Sequence, residues 1–294
     1  METSLCSANS AENEPFFSLS SGEIHLWSLS WDDPHLRLKD HFEANTSAPP
    51  RFSFDDLLAQ SKTLLNPSEL NRAQARIRSE DQTHFILTRA ALKSLLSRYL
   101  RIPPKKISFQ TTHRGKPFLD CSSEGSPTLS FNLSHSSGKA LLALALGHHR
   151  IGVDLEKIRP LQARNALFQR YLSPREQAHL KHLPHAQQDA FFFQAWSAKE
   201  ALIKALGARI LEHPMAEIDP NWSDSSISPS KALPDRIQSL SLRTLPQAFG
   251  SPQNWQLFQI PLFPQFSSLL ACELQTAQEP WRVQPYFWDP YCIF

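Results

Sequence analysis

The chain has 294 residues, which is long enough for two domains or one large one with a substantial core. Hydrophobic residues make up 41% and charged residues 20%, and the net charge of +2 gives no global reason to expect nucleic acid as a partner. Glycine accounts for only 8 residues and no glycine-rich phosphate loop is present, which excludes a P-loop and a dinucleotide fingerprint.

Residues 1–21 are polar and acidic, with no basic or apolar segment typical of a signal peptide, and we expect them to be disordered. The longest apolar run, 140–146, is too short to span a bilayer. The four cysteines are widely spaced, which fits a reducing compartment better than a disulfide framework or a metal site. We therefore expect a cytoplasmic protein without a membrane partner.

Alternating apolar and polar residues, together with turn-forming residues such as proline, asparagine and serine, divide the rest of the chain into predicted elements. Strands are predicted at 23–30, 129–133, 140–146, 151–155, 255–260 and 269–274. Residues 40–63 mix proline, asparagine and acids and predict a loop with a short helix. The segment 223–235 is rich in serine and proline and predicts an exposed loop.

A weak internal repeat relates the two halves of the chain. LNPSE at 65–69 resembles LSPRE at 172–176, and each predicts a helix start with an N-cap, a proline and a capping-box glutamate. Phe85 and Phe193 follow these glutamates by 16 and 17 residues, and each is expected to open a second helix. Either this start motif recurs by chance or the chain contains a duplicated α/β unit, with a cleft for a ligand between its halves.

The motif GVDLE at 152–156 places two carboxylates, Asp154 and Glu156, on one face of a predicted strand. Val153 and Leu155 point into the opposite, apolar layer. The carboxylates lie close enough to bind one cation, because Mg²⁺ takes oxygen ligands and needs few from the protein. The alternative is a strand end whose acids face water.

The motif WSAKEALIK at 196–204 places Glu200 and Lys204 one turn apart on a predicted helix, with Trp196 a turn earlier as an expected core residue. Lys199 is expected to face solvent. Alone, this pattern could be an exposed ion pair contributing about 0.2–0.5 kcal/mol. A third acid converging on the strand carboxylates, with a lysine beside it, instead indicates phosphate chemistry on magnesium.

Two polar turns complete the pattern. FNLSHS at 131–136 ends a strand, and its Ser134 and His135 could line an anion nest, although such residues are usually satisfied within the turn. RGKP at 114–117 is a basic, rigid turn, and alone it would be only a hairpin loop.

In this order and spacing, these motifs resemble those of the 4′-phosphopantetheinyl transferases of the long, Sfp-type class. The segment 69–73, leading to Phe85 and Arg89, is similar to the family's first-half pattern. Ala75, Arg76 and Ile77 stand near a place where the family often has an aromatic residue. The likeness runs over about 27–207, and the tail matches only in its strand-rich character.

The resemblance implies a role for each matching residue. Asp154, Glu156 and Glu200 would hold Mg²⁺ together with the pyrophosphate of coenzyme A. Glu200 would also act as the base, directly or through a metal-bound water, and Lys204 would contact the pyrophosphate. The nucleotide end of coenzyme A, including its 3′-phosphate, would be bound by Lys116, Ser134 and His135, with Arg89 and Arg72 as further candidates.

The resemblance also implies an α+β fold of two similar subdomains related by a pseudo-twofold axis, 22–148 and 149–294, with the metal site in the second. The expected activity is that of a holo-[acyl-carrier-protein] synthase: Mg²⁺-dependent transfer of 4′-phosphopantetheine from coenzyme A to a serine of an apo acyl, polyketide or peptidyl carrier protein, releasing 3′,5′-ADP. Two halves in one chain make a monomer sufficient. The alternatives are a non-catalytic module that binds coenzyme A or carriers, and a metal-dependent phosphohydrolase.

Overall fold

A computed structural model of the chain describes residues 17–31, 53–120, 128–209, 212–222, 237–274 and 280–288. The α-helices in these ranges are α1 (Phe54–Leu64), α2 (Pro67–Gln74), α3 (Ser79–Leu100), α4 (Arg164–Tyr171), α5 (Pro174–His182) and α6 (His185–Leu206). The strands are β1 (Glu23–Ser30), β2 (Phe109–Thr111), β3 (Pro117–Leu119), β4 (Leu129–Ser136), β5 (Lys139–Leu146), β6 (Ile151–Lys157), β7 (Asp219–Pro220), β8 (Gln238–Leu240), β9 (Leu242–Thr244), β10 (Trp255–Gln259), β11 (Phe266–Glu273) and β12 (Arg282–Trp288). This mixture of helices and sheets confirms the predicted α+β class.

Two four-stranded sheets form the centre of the molecule. Their strand orders are β12-β1-β5-β4 and β6-β11-β10-β8, and only the β1–β12 pair is parallel. The six strands predicted from the sequence are therefore confirmed. The boundary between 22–148 and 149–294 stays a prediction, and β12 is the element that crosses it, because this last strand pairs with β1 in the first sheet.

The sheets and the two long helices stack in four layers: α3, first sheet, second sheet, α6. In β5, Leu142 and Leu144 join the core beneath α3, whereas Leu141 faces the second sheet. Side chains on both faces of β5 are buried, and its sequence is accordingly a continuous apolar run. On β6, Val153 and Leu155 point into the layer between the sheets, as predicted.

The internal repeat corresponds to two equivalent helix pairs, α2–α3 and α5–α6. Both predicted capping boxes are formed, with Asn66 and Glu69 at α2 and with Ser173 and Glu176 at α5. The prediction that a phenylalanine opens each second helix is wrong. α3 and α6 begin six and eight residues before Phe85 and Phe193, respectively. The residues between each helix start and its phenylalanine include no proline or glycine, so the helix extends backwards over them.

Side chains of β4 join the first sheet to β6 of the second. Alternate polar residues of β4 accept hydrogen bonds from alternate backbone N–H groups of β6. These bonds run from Val153 N to Asn132 Oδ1 (2.8 Å), from Leu155 N to Ser134 Oγ (3.2 Å) and from Lys157 N to Ser136 Oγ (3.2 Å). The motif FNLSHS therefore forms the seam between the two sheets, and it places Ser134 beside Asp154.

Among the described N-terminal residues, Phe17 contacts the first core. Its ring lies 4.9 Å from that of Trp27 and 5.3 Å from that of Tyr99, and the disorder expected for residues 1–21 stays a prediction. The rest of the predicted disordered segment, the first part of the loop at 40–63 and the whole loop at 223–235 lie outside the described residues. None of the helices in the described ranges combines the length and apolar character that a membrane crossing requires. The cytoplasmic location stays a prediction.

Candidate active site

The side chains of β6 that face α6 include the two predicted strand acids, and α6 carries Glu200 and Lys204 over this face. Gly152 allows this close approach. A β-carbon at this position would lie 2.1 Å from the backbone oxygen of Ala201 and 2.4 Å from the backbone nitrogen of Ala205. The glycine of the GVDLE motif therefore sets the spacing between the strand and the helix that supply the acids.

Asp154 is the most deeply buried acid of the site, with 2% of its surface exposed. Its Oδ1 accepts hydrogen bonds from Lys204 Nζ at 2.6 Å and from Ser134 Oγ at 3.1 Å. Lys204 Nζ also donates to Ser134 Oγ at 3.0 Å and lies 3.9 Å from a carboxylate oxygen of Glu200. The ammonium group therefore lies between the acid of the strand and the acid of the helix. The hydroxyl of Ser134 holds this pair together, and its predicted contact with coenzyme A stays a prediction.

The pKa values reflect the crowding of like charges. Burial, followed by the negative charge of Asp154, raises the pKa of Glu200 to about 7. The same two causes raise the pKa of Glu156, against an opposing effect of Arg159, whose guanidinium lies 3.7 Å away. Burial alone would lower the pKa of Lys204, but the carboxylates of Asp154 and Glu200 raise it above the ordinary value. The site thus carries more negative charge than its lysine balances.

Removing the Glu200 carboxylate is expected to stabilise the metal-free protein at alkaline pH. Between the ordinary pKa of 4.5 and the folded-state value of about 7, the folded protein keeps a proton that the unfolded chain loses. Stability therefore falls as pH rises through this window. The free energy of unfolding of Glu200→Gln should exceed that of wild type by about 1–3 kcal/mol near pH 8 and by little near pH 5.

Urea denaturation with a chelator present measures this difference at both pH values. The matched control is Glu217→Gln, which neutralises an exposed glutamate away from the acid cluster. The same gain at both pH values would contradict the assigned cause.

The donor set fits a hard divalent cation. Asp154 Oδ2 is buried and has no hydrogen-bond partner among the described residues. Carboxylate oxygens are the ligands that Mg²⁺ prefers, and Mg²⁺ commonly takes one or two from the protein, with water and phosphate oxygens completing its shell. In the described part of the chain, no three acid, histidine or cysteine side chains are already arranged around one point. The three-carboxylate metal site stays a prediction.

Three arginines surround the ring of Phe85 on the first-half side of the seam. The guanidinium carbons of Arg72, Arg76 and Arg89 lie 5.9, 4.6 and 5.5 Å from the ring centroid. Arg89 Nη1 and Arg76 Nε are buried without hydrogen-bond partners among the described residues. Burial, together with the charges of Arg72 and Arg76, lowers the pKa of Arg89 against the attraction of Glu69. The cluster is thus suited to an anion. Arg76, for which the sequence predicted no role, belongs to this cluster.

His135 connects this cluster to the acids. Partial desolvation and the positive charges of Arg76 and Lys204 lower the pKa of its exposed imidazole. A neutral ring near the cations Arg76 and Lys204 can accept a hydrogen bond or stack on a ligand, and it gains a proton readily when an anion binds.

Lys116 occupies an unexpected environment. It lies in the β2–β3 hairpin turn, where Gly115 adopts a φ of +89°. Its Nζ donates to the backbone oxygens of Ala205 at 3.1 Å and of Ile151 at 3.3 Å. Burial and the charge of Arg150 lower its pKa to about 8. The side chain therefore anchors the last turn of α6, and its predicted contact with a nucleotide stays untested.

The prediction that Lys199 faces solvent is wrong. Its side chain is fully buried and its Nζ lies 2.5 Å from Glu176 Oε2. Trp196 belongs to the core of the second half, as predicted, with its ring 4.9 Å from that of Tyr171. Consecutive helix residues point about 100° apart, so burial of Lys199 towards α5 is compatible with Glu200 facing β6.

Two family descriptions match the chain. Residues 150–258 match the 4′-phosphopantetheinyl transferase superfamily, and residues 53–146 match the N-terminal region of 4′-phosphopantetheinyl transferases. The chain is 36% identical over 204 residues to the 4′-phosphopantetheinyl transferase HetI of Nostoc sp. strain PCC 7120, covering 69% of this chain and 77% of that protein. It is 30% identical over 206 residues to a putative 4′-phosphopantetheinyl transferase of Synechocystis sp. strain PCC 6803, covering 70% and 76%. It is also 28% identical over 145 residues to Sfp of Bacillus subtilis strain 168, covering 49% and 61%.

Proposed function

Because the chain belongs to the 4′-phosphopantetheinyl transferase superfamily, we propose that it moves the 4′-phosphopantetheine group of coenzyme A onto a serine hydroxyl of an apo carrier protein. A bond forms between the serine oxygen and the phosphorus that bears pantetheine. The bridging bond of the pyrophosphate breaks, and 3′,5′-ADP leaves. The observation that carries this proposal is the contact of Lys204 with the buried carboxylates of Asp154 and Glu200 at the seam of the two sheets.

Glu200 is the base in this proposal. A serine hydroxyl is a weak nucleophile at neutral pH, so a positioned carboxylate must take its proton as the bond to phosphorus forms. In the metal-free site, burial and the charge of Asp154 raise the pKa of Glu200 to about 7, so the protein by itself makes this carboxylate more basic than an ordinary glutamate.

Lys204 stabilises the charge that develops on the leaving pyrophosphate. The ammonium group is held by Asp154 and Ser134 before any substrate arrives, so its orientation costs little at the moment of reaction. Asp154, with Glu156 and Glu200, would hold Mg²⁺, which when bound would neutralise negative charge on the pyrophosphate. The hydrogen bonds of Ser134 hold Asp154 and Lys204 in a fixed position relative to β4.

The nucleotide end of coenzyme A is assigned to the arginine cluster. Its 3′-phosphate is a compact dianion, and arginine binds phosphate through several parallel N–H donors. The unpartnered nitrogens of Arg89 and Arg76 support this assignment, with Arg72 and His135 beside them. Lys116 contributes by anchoring the end of α6.

Intact-mass measurement tests the proposed function. The purified protein is incubated with coenzyme A, Mg²⁺ and apo carriers of the acyl, polyketide and peptidyl types. We expect one serine of at least one carrier to gain a single phosphopantetheinyl group, together with release of 3′,5′-ADP. Binding of coenzyme A without transfer to any carrier would support a binding module instead. Phosphate release without a carrier would support a phosphohydrolase.

We also propose that the protein acts as a monomer in the cytoplasm, because both halves of the cleft come from one chain. Light scattering of the purified protein at the concentration used for the transfer assay measures its mass. An obligate dimer would contradict the first part of this proposal.

A further inference from the structure

A buried ion pair occurs at equivalent places in the two halves. In the first half, Glu69 Oε2 accepts a hydrogen bond from the N–H of its N-cap, Asn66, at 3.0 Å. The same oxygen accepts another from Lys93 Nζ of α3, also at 3.0 Å. The Lys93 side chain is 1% exposed. The capping glutamate of the short helix is therefore also the counter-ion of the long helix.

The second half repeats this arrangement atom for atom. Glu176 Oε2 accepts hydrogen bonds from the N–H of its N-cap, Ser173, at 2.8 Å and from Lys199 Nζ at 2.5 Å. Lys199 Nζ also donates to the backbone oxygen of Tyr171 at 2.7 Å. Both charged side chains of the pair are 0% exposed. The repeated sequence motif therefore extends to a duplicated link between short and long helix.

The second carboxylate oxygen distinguishes the halves. Glu69 Oε1 lies 3.7 Å from Nε of Arg89, which is one turn before Lys93 on α3. Glu176 Oε1 instead accepts a hydrogen bond from Trp222 Nε1 at 3.0 Å. The first link thus touches a residue of the arginine cluster, whereas the second adjoins Glu200 along the chain.

We propose that the two links are positioning devices for different parts of the site, an inference that rests on the proposed function. The Glu69–Lys93 link orients Arg89 towards the nucleotide end of coenzyme A. The Glu176–Lys199 link fixes the rotation of α6, so that Glu200 faces Asp154. A fully buried lysine cannot exchange its partner for water. Each ion pair therefore fixes the rotation of the long helix relative to the short helix that carries the glutamate.

Double substitutions that remove both charges of one ion pair test whether the two pairs position different parts of the site. Lys93→Met with Glu69→Gln, and Lys199→Met with Glu176→Gln, remove both charges of a link while leaving a side-chain oxygen for the helix cap. The matched control is Asp189→Asn near the start of α6. It removes an ion pair in which the nitrogen of Arg164 lies 2.7 Å from the oxygen of Asp189, and the two side chains are 20% and 14% exposed. Steady-state transfer yields kcat and the KM for coenzyme A, and calorimetry yields the Kd for coenzyme A.

The two links should affect different parameters. The first-half variant is expected to raise both KM and Kd for coenzyme A about tenfold with little change in kcat. The second-half variant is expected to lower kcat by about 100-fold with little change in KM. Asp189→Asn should change neither parameter, although its melting temperature falls. Equal effects of both links on both parameters, or no effect beyond a lower melting temperature, would overturn the inference.

Failure of the proposed function is distinguishable from failure of this inference. A wild-type protein that transfers nothing would remove the transferase activity. The inference would then be judged on coenzyme A affinity, which the first-half variant must weaken and Asp189→Asn must leave unchanged.

Discussion

Transfer by the Glu200→Gln variant should be at least about 1000-fold slower than by wild type, because an amide cannot accept the proton of the carrier serine. Glutamine has nearly the shape of glutamate, and it removes a carboxylate whose pKa is raised by burial and by Asp154. The variant should therefore be at least as stable as wild type near pH 8. Loss of activity combined with unchanged or increased stability would separate the chemistry of Glu200 from any role in folding.

Intact-mass assays over time, with urea denaturation of the same samples, measure both quantities. Glu217→Gln is again the matched control and should transfer at the wild-type rate. A Glu200→Gln variant with full activity would remove Glu200 as the base. A variant that is inactive because it is unfolded would contradict the expected gain in stability.

The Gly152→Ala substitution should damage both folding and activity. Its β-carbon would meet backbone atoms of α6 at 2.1 and 2.4 Å, and backbone cannot rotate aside as a side chain can. The strand and the helix must therefore separate. We expect the free energy of unfolding to fall by about 3 kcal/mol. The displacement of α6 from β6 should lower kcat by a further factor of about 100 in molecules that remain folded.

Gly22→Ala provides the comparison. Gly22 has a φ of +75° and open space around its α-carbon, so alanine there strains the backbone without a steric clash. That variant should lose about 1 kcal/mol of stability and keep wild-type kcat. Thermal melts and transfer rates at a temperature where both variants are folded measure the contrast. Equal kcat for the two variants would show that the approach of α6 to β6 does not control the site.

The local features of the fold could be predicted from the sequence, because each depends on residues that are close together in the chain. Both predicted capping boxes involve residues three positions apart, and both are formed. The strands of the two central sheets have alternating or continuous apolar patterns that reflect burial on one or both faces. The placement of Val153 and Leu155 in the apolar layer follows from the same period of two.

The error at Lys199 arose where a distant partner decides the outcome. Lys199 was expected in solvent, since lysine usually is, but Glu176 and the backbone of Tyr171 together satisfy its charge in the core. Arg76 was not grouped with Arg72 and Arg89, because only the fold brings these three side chains around the ring of Phe85.

The amino-acid sequence by itself determined six strands of the central sheets, the two predicted capping boxes and the two equivalent helix pairs, because period and capping are local properties. Only the tertiary structure decided which groups meet. It brought Lys204 to Asp154, and it gave Ser134 and Lys116 hydrogen-bond partners within the protein, the carboxylate of Asp154 and the backbone of Ala205. It also buried Lys93 in the first half and Lys199 in the second. These contacts join residues from 20 to 89 positions apart, and their geometry follows from how sheets and helices stack rather than from any local pattern.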